Sequence, residues 1–566
     1  MIRKHWFWLA AGLLLLAMGA AQVTSALQET QTWDEGTHLA AGYSYLKTGD
    51  FRMNREHPPL FKLLCALPLL ALNPRLPLED ASWKEGNQEV FGDTFLYKNR
   101  VPAERMLFAA RSVTIALTLA LGLVLALWTR RRFGEVAAVA ALSLYVFDPN
   151  LIAHGRYVTG DLAATAFIFL SVIAWAEFLE TKRWRDLAIT GVVLGLALVS
   201  KFSAVFLLPV LVALYWLRRW REGRGRLTML HFAASMAVAG AIGVAIIGLA
   251  YGPETIRSFH GTKLRRVVDP TTTAGAIMSQ VGKRLGLPAH PYLVGLYEFA
   301  QHDSGGHSAY LMGMFSDQGW WYYFPVVFGV KTPAAALILL ALSVAVGLVA
   351  LARAGPRRWQ MRAVPFEWVA LLLPPLVYFA FCMRSHVNIG VRHILPVYPF
   401  LFIAIAAGLA RKAWGKRALA ALVLVLAVES VAVYPHYLAF FNGFAGGPEN
   451  GPRYLVDSNL DWGQDLVNLK KYLAAHDMKK LCICYFGRAS MQYYKIDYMY
   501  LPETAETAKQ KEMDCVAAIS ATQLQGAYVG ERAFAWLRAR QPMAKIGYSI
   551  YLYDFRRVAT SGDAAR

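Results

Sequence analysis

The chain is 566 residues long, 56% hydrophobic and only 17% charged, a balance too apolar for an ordinary soluble domain. Its net charge of +20 sits largely in short basic clusters at the ends of apolar stretches, so it gives little support to nucleic-acid binding. No glycine-rich phosphate loop follows a strand and no soluble nucleotide-binding segment is evident, which argues against a nucleotide substrate.

Eleven apolar stretches reach or approach the length needed to cross about 30 Å of hydrocarbon. They lie near residues 6–26, 104–128, 134–149, 162–180, 186–200, 202–217, 228–250, 333–352, 365–382, 394–410 and 417–435. The two between 186 and 217 are short and are separated only by Ser200, Lys201, Phe202 and Ser203. The first stretch also fits a cleaved signal peptide, but its length is closer to a full span. Basic clusters at 3–4, 130–132, 182–185, 218–226, 353–362 and 411–417 fall at alternate ends and predict one cytoplasmic side. The amino terminus is then cytoplasmic. An odd number of spans puts the carboxyl-terminal segment outside with loops 27–103, 251–332 and 383–393. The expectation is a polytopic α-helical protein of the bacterial inner membrane, with a periplasmic carboxyl-terminal domain and membrane lipids around its spans.

Residues 57–73 are apolar but short and open on Pro58 and Pro59, which suits a helix start lying at the external interface. Trp83 and the polar stretch to Arg105 then return the chain to the membrane. The run Trp320, Trp321, Tyr322, Tyr323 and Phe324 in the loop 251–332 reads as an interfacial aromatic belt more readily than as a sugar-stacking surface.

From about residue 437 the pattern changes, dividing a transmembrane domain, 1–436, from an extramembrane one, 437–566. Apolar periodicity near 465–475 and 533–540, with β-prone runs at 480–486, 515–520 and 544–554, predicts a small α/β domain. Cys482 and Cys484 share a strand face and are poor partners for each other, yet either can pair with Cys515 if the strands adjoin. Asp457, Asn459 and Asp461 resemble half of a calcium loop, but Trp462 stands where glycine is required. Asp461 with Gln464 instead suggests a capping box for the helix through Leu469 and Tyr472.

Polar residues gather at the external ends of the spans. Asp34, Glu35 and His38 follow the first span, and Glu56 and His57 precede the interfacial helix. His154, Arg156 and Asp161 lie between the third and fourth spans, Lys201 in the tight turn, and Arg384, His386, Asn388, Arg392 and His393 before the tenth. Bundled spans would bring them into one cavity, carboxylates beside cations. Adjacent acids cost desolvation and repel each other, so Asp34 and Glu35 are the first candidates for chemistry, the alternative being a solvated helix cap.

Asp34-Glu35 after the first span, Glu56-His57-Pro58-Pro59-Leu60 opening the next element, Arg156-Tyr157 followed by Asp161, and Arg392-His393 with Pro396 resemble a known pattern. It is that of the lipid-carrier-dependent glycosyltransferases of the GT-C fold, in the protein O-mannosyltransferase and aminoarabinose transferase group. The likeness covers roughly residues 1–435. It implies a polyprenyl-phosphate sugar donor, an acceptor reached from the external face and inversion at the anomeric carbon. Asp34 matches the catalytic acid position, Glu35 its companion, and Glu56 and Asp161 acidic positions of the same cavity. His57 takes the place of a basic residue, so charge there is expected to depend on pH. The carboxyl-terminal domain does not resemble the β-trefoil of eukaryotic members, which argues against a protein acceptor, although the sequence itself does not choose among lipid, glycan and protein.

The chemistry gives independent reasons for these residue types. A sugar hydroxyl is a weak nucleophile, so a carboxylate must take its proton as it attacks, a role assigned to Asp34 with Glu35 or Glu56 orienting it. The leaving lipid phosphate gains charge that fixed cations stabilise. Arg392 suits this best through its planar fork, ahead of Arg384, Lys201, Arg156 and His393, any of which can instead snorkel toward lipid headgroups. No cofactor is required. A divalent metal is possible but unsupported, since neither His302, Asp303 and His307 nor His154 with Asp161 has a strict ligand spacing. The competing function is a transporter or flippase of a polar lipid, with the acids as proton relays, and a non-catalytic scaffold would leave the acid pair unexplained.

Overall fold

A chain crossing hydrocarbon must satisfy its own backbone hydrogen bonds, so apolar runs of this length become helices. The structure, a computed structural model, describes residues 2–223, 228–353, 364–510 and 513–556. In it seven helices are long and apolar enough to cross a membrane: His5–Ala26, Ala103–Phe133, Gly160–Thr181, Phe202–Glu222, Met229–Tyr251, Ala334–Arg353 and Val391–Leu409. The other four predicted spans are also helical. Glu135–Val146 and Trp184–Leu198 are short, Phe366–Cys382 has 17 residues, and Ala413–Ala432 carries Lys416, Arg417 and Glu429. Twelve residues of helix cover only about 18 Å. Glu135–Val146 tolerates this because most of its side chains are buried among its neighbours.

The short helix Trp184–Leu198 holds its place by close packing. Its Gly191 and Gly195 lie one turn apart against Ala239, Ile242, Gly243 and Ile246 of Met229–Tyr251, and a Cβ at Gly195 would come within 2.7 Å of Ile246. Small residues at this spacing let two backbones approach inside a membrane, where water supplies no hydrophobic drive. At one end of the bundle Arg130, Arg131 and Arg132 pair with Glu135, Glu177 and Glu180. Of the other predicted basic anchors, Arg224, Arg226, Arg357, Arg358 and Arg362 lie outside the described residues.

The expected interfacial helix is Leu60–Leu72, burying Phe61, Cys65, Ala66 and Leu69 while Leu67 and Leu70 face outward. Within the loop after Tyr251, strands β1 (Ala309–Leu311) and β2 (Met314–Ser316) form a small antiparallel hairpin. Of the aromatic run that follows, Trp321 is exposed whereas Tyr323 and Phe324 are buried.

Five strands then build a sheet: β3 (Leu481–Cys484), β4 (Met499–Tyr500), β5 (Val516–Ser520), β6 (Ala544–Ile546) and β7 (Ile550–Asp554), in the order β4-β3-β5-β7-β6. β3 runs parallel to β4 and β5, while β7 is antiparallel to both its neighbours. Alternation along the strands gives the sheet two apolar faces. Leu481, Ile483, Val516, Ala518 and Leu552 pack on Leu466, Leu469 and Leu473 of helix Leu466–Ala475, each large side chain contributing about 1.5–3 kcal/mol. Cys482, Ala517, Ile519, Tyr551 and Tyr553 face the other way, into the same buried cluster as membrane-helix residues such as Phe169 and Ile394. Cys482 stands opposite Ala517, and Cys515, two residues earlier, shares that face. The disulfide is therefore Cys482–Cys515, with Cα atoms 6.0 Å apart, and Cys484 is free.

Three local expectations change. The run 544–554 is two strands, because Gly547 and Tyr548 turn the chain with φ of +58° and +63°. The helix near 533–540 is only Ala535–Arg538. The capping box does not form: Asp461 accepts from Thr522 N–H at 2.9 Å, Gln464 Oε1 accepts from Trp462 N–H at 2.8 Å, and Asp465 precedes the helix.

Candidate active site

Asp34 occupies the position before helix Glu35–Thr48, yet its side chain makes no capping hydrogen bond. Its carboxylate instead accepts from Arg392 Nη1 at 2.8 Å. Arg392 belongs to a seven-residue 3-10 stretch, Val391–Val397, that leads into Tyr398–Leu409. Its guanidinium also lies 3.8 Å from Asp161 and stacks over the Trp462 indole, 4.4 Å from the ring centre. Asp161 sits in the first turn of Gly160–Thr181, where the helix dipole favours an anion, and is ion-paired with Lys201. Two acids and two cations thus alternate around one point.

This point lies in a cavity of about 850 Å³. Asp34, Glu56, His57, Asp161, Lys201, Arg392 and His393 all line it, so seven of the sequence-predicted residues are brought together. Glu56 is oriented by Asn54 Nδ2 at 2.9 Å and Gln88 Nε2 at 2.6 Å. Buried Lys62, unremarked in the sequence, donates to Asn54 Oδ1, to the Asn54 and His57 carbonyls and to the Tyr45 hydroxyl, and so fixes the loop carrying Glu56. Burial holds the His57 imidazole well below its ordinary value, and nearby His38 and Lys62 add to that. The direction favours the uncharged imidazole at this position, where the family pattern has a basic residue.

Three predicted residues lie elsewhere. Glu35 turns away from the cavity into a fully buried bidentate pair with Arg111, at 2.6 and 2.8 Å, and accepts the N–H groups of Thr32 and Val158. Burial alone would raise its pKa, but the Arg111 guanidinium overrides this and holds the carboxyl below its ordinary value. Arg156 is buried against Glu29, 2.5 Å away, and between Tyr157 and Tyr437. Arg384 is exposed and does not line the cavity.

The wall opposite the helices comes from the carboxyl-terminal segment, a contribution not anticipated from sequence. Asp457, Trp462, Phe486, Gln523 and Tyr528 line the cavity. The loop bearing Asp34 is clamped to this segment: Thr30 N–H donates to Gln464 O at 2.9 Å and Trp33 N–H to Trp462 O at 3.0 Å. Trp33 stacks on Phe486 at 4.9 Å, and Phe486 on Tyr528 at 5.2 Å. Gly463 permits the clamp. Its φ is +88°, and a Cβ there would lie 2.6 Å from Gly487.

Metal-ligand candidates are used otherwise. Asp303 accepts from Ser385 Oγ at 2.6 Å, and His154 packs edge-on against Tyr157 and Trp462. Among the described residues no three His, Cys, Asp or Glu side chains gather as a metal-ion cage.

Residues 103–247 match the family model described as dolichyl-phosphate-mannose-protein mannosyltransferase. The dolichyl-phosphate-mannose–protein mannosyltransferase 1 of Schizosaccharomyces pombe is 29% identical over 171 residues, 29% of this chain, and the chain spans only 18% of that relative's length. Among solved structures, ArnT from Cupriavidus metallidurans bound to undecaprenyl phosphate aligns over 97% of this chain and 98% of its own, with 13% identity and a TM-score of 0.45. The archaeal oligosaccharyltransferase AglB from Archaeoglobus fulgidus, in complex with an inhibitory peptide and a dolichol-phosphate, aligns over 95% and 72%, with 11% identity and a TM-score of 0.47. The resemblance read from the residues is borne out where the family model matches. Over residues 103–247, the segment that supplies Asp161 and Lys201 to the cavity, the chain is similar to the dolichyl-phosphate-mannose-protein mannosyltransferases.

Proposed function

We propose that the chain is a glycosyltransferase that moves a sugar from a polyprenyl-phosphate carrier to an acceptor hydroxyl, inverting the anomeric carbon. The observation that carries this is the alternation Asp34–Arg392–Asp161–Lys201 within a single cavity. Arg392 and Lys201 grip the carrier phosphate, and Asp161 holds the two cations side by side. Asp34 takes the proton of the attacking hydroxyl. The new bond joins acceptor oxygen to the anomeric carbon as the bond to phosphate oxygen breaks, and the electron pair leaves with the phosphate. A phosphate seated on Arg392 competes with Asp34 for the guanidinium, which frees that carboxylate to act as base. The family match over 103–247 supports the donor class.

The test is transfer by the purified full chain from a radiolabelled polyprenyl-phosphate sugar to envelope extract. Asp34→Asn preserves shape and removes the base. We expect its rate to fall by about 100-fold or more. An unchanged rate refutes the role of Asp34, and a wild-type chain that moves lipid without forming a glycoside establishes the transporter instead.

We further propose that the cavity and carboxyl-terminal segment face the periplasm of a bacterial inner membrane, with the amino terminus cytoplasmic. Two features support this orientation. The clustered Arg130, Arg131 and Arg132 close the helix Ala103–Phe133 far from the site, and the Cys482–Cys515 disulfide suits an oxidising compartment. Cytoplasmic activity of a reporter fused after residue 556 would reverse the assignment.

A further inference from the structure

The carboxyl-terminal segment brings polar groups to the cavity that the acid–cation alternation leaves unused. Asp457 lines it and is 8% exposed. One of its oxygens accepts the Ser458 N–H and the other the Tyr528 hydroxyl, so each keeps acceptor capacity unfilled. Gln523 lines the same wall, and its Oε1 is buried without a hydrogen-bond partner. A buried acceptor left empty is costly unless a water or a ligand supplies its donor.

These groups are fixed in place. Asp457 has a φ of +58°, a left-handed conformation that aspartate tolerates better than most residues. Its N–H donates to Thr522 Oγ1 at 3.1 Å, which ties it to the residue before Gln523. The same turn is docked on the stretch that delivers Arg392: Ser458 Oγ donates to Ile389 O at 2.7 Å, and Val391 N–H to Asn459 Oδ1 at 2.9 Å. Acceptor groups and phosphate-gripping cation are therefore held in one register.

A carboxylate and an amide oxygen reject an anion and recruit donors. Arg392 and His307 already face the Asp457 charge, so the ligand need not be cationic. Neighbouring hydroxyls on a ring meet these requirements. We infer that Asp457, Tyr528 and Gln523 form the subsite that binds the hydroxyls of the transferred sugar while Arg392 and Lys201 take its phosphate. This rests on the transferase reading and specifies its donor site.

The test compares binding of bare polyprenyl phosphate with carriers bearing mannose, glucose or galactose, to the full-length protein in lipid nanodiscs. The wild-type chain should prefer one sugar-bearing carrier over the bare one. Gln523→Ala should cut that preference by about tenfold, the scale of one hydrogen bond to a buried group, and leave affinity for the bare carrier unchanged, whereas Asp457→Asn should cut the preference as far while tightening bare-carrier binding, because Arg392 loses an opposing anion. Tyr528→Phe, which keeps the ring on Phe486, should act in the same direction. Bare-carrier binding with a sugar preference absent, or untouched by the variants, overturns this subsite alone. Equal losses for bare and sugar-bearing carriers also overturn it, because they mark a structural role. A wild-type chain that binds neither kind of carrier overturns the transferase reading and this subsite with it.

Discussion

Asp34 and Arg392 lie 358 positions apart in sequence and share a 2.8 Å hydrogen bond in the cavity, with the guanidinium carbon over the Trp462 ring, 4.4 Å from its centre. Only a planar fork can stack on an indole, hold one carboxylate and still present a second edge to phosphate. Lysine keeps the charge and loses the fork and most of the stacking. Arg392→Lys should therefore lower the transfer rate at saturating donor by roughly 100-fold, in the range for loss of one preorganised transition-state contact. A thermal unfolding midpoint close to wild type would separate this from misfolding, and wild-type turnover would remove Arg392 from the phosphate site.

Glu35 has a different part, and its variants should say so. It is fully buried with Arg111, and removing one partner leaves an uncompensated charge. Arg111→Met should destabilise the fold by about 3–5 kcal/mol. Adding Glu35→Gln to it should recover a large part of that loss, because the pair is then absent as a whole. Thermal unfolding of the two single variants and the double variant in detergent checks this. Strict additivity would mean that the two side chains are not coupled.

The contrast between Asp34 and Glu35 shows where the sequence was informative. Polar residues at span ends are costly in a membrane, so their presence marked Asp34, Glu56, Asp161, Lys201 and Arg392, and the fold gathers all five. It was silent on direction. Adjacent residues at a helix start point about 100° apart, so one acid faces the cavity and the next faces Arg111. Arg156 looked equally available, but its partner Glu29 lies 127 residues away and no local pattern links them.

The spans were legible because hydrocarbon enforces long apolar runs, whereas the lengths of Glu135–Val146 and Trp184–Leu198 depend on packing against neighbours. The cavity wall from Asp457 to Tyr528 was the least visible part. It is built from irregular chain, the short 3-10 turn Asp457–Asn459 and the five-residue helix Ala521–Gln525, all too short to carry a periodicity. Its one signal was the density of Asp457, Ser458, Asn459, Asp461, Gln464 and Asp465 in an apolar protein, a pattern that looked like half a calcium loop. In the fold these side chains bond backbone and neighbouring polar groups instead.

Strand register makes a further prediction about the cysteines. With Cys482 opposite Ala517, Cys515 is within reach of Cys482 and too far along the strand from Cys484, which stands opposite Ile519. Cys484→Ser should leave the oxidised chain unchanged on non-reducing analysis. Cys482→Ser should free the Cys515 thiol and lower stability by about 2–4 kcal/mol. Thiol-specific alkylation followed by peptide mass mapping reads both outcomes, and a Cys484–Cys515 peptide would show that the register is wrong.

Asp461 gives the protein a pH dependence of a definite sign. Burial pushes its carboxyl up to about 8, Asp465 and Asp457 push in the same direction, and the Thr522 N–H at 2.9 Å opposes them incompletely. Its other oxygen is buried without a partner. Between about pH 4, where the unfolded side chain ionises, and pH 8, the folded chain holds a proton that the unfolded chain has lost. Stability from this group is therefore full below pH 4 and falls as pH rises, by at most about 1.4 kcal/mol per unit, until the folded group also ionises. Asp461→Asn keeps the hydrogen bond from Thr522 and cannot titrate. Its thermal midpoint should decline less than that of the wild-type chain between pH 5 and 8, and parallel curves for the two proteins would show that Asp461 is ionised in the fold.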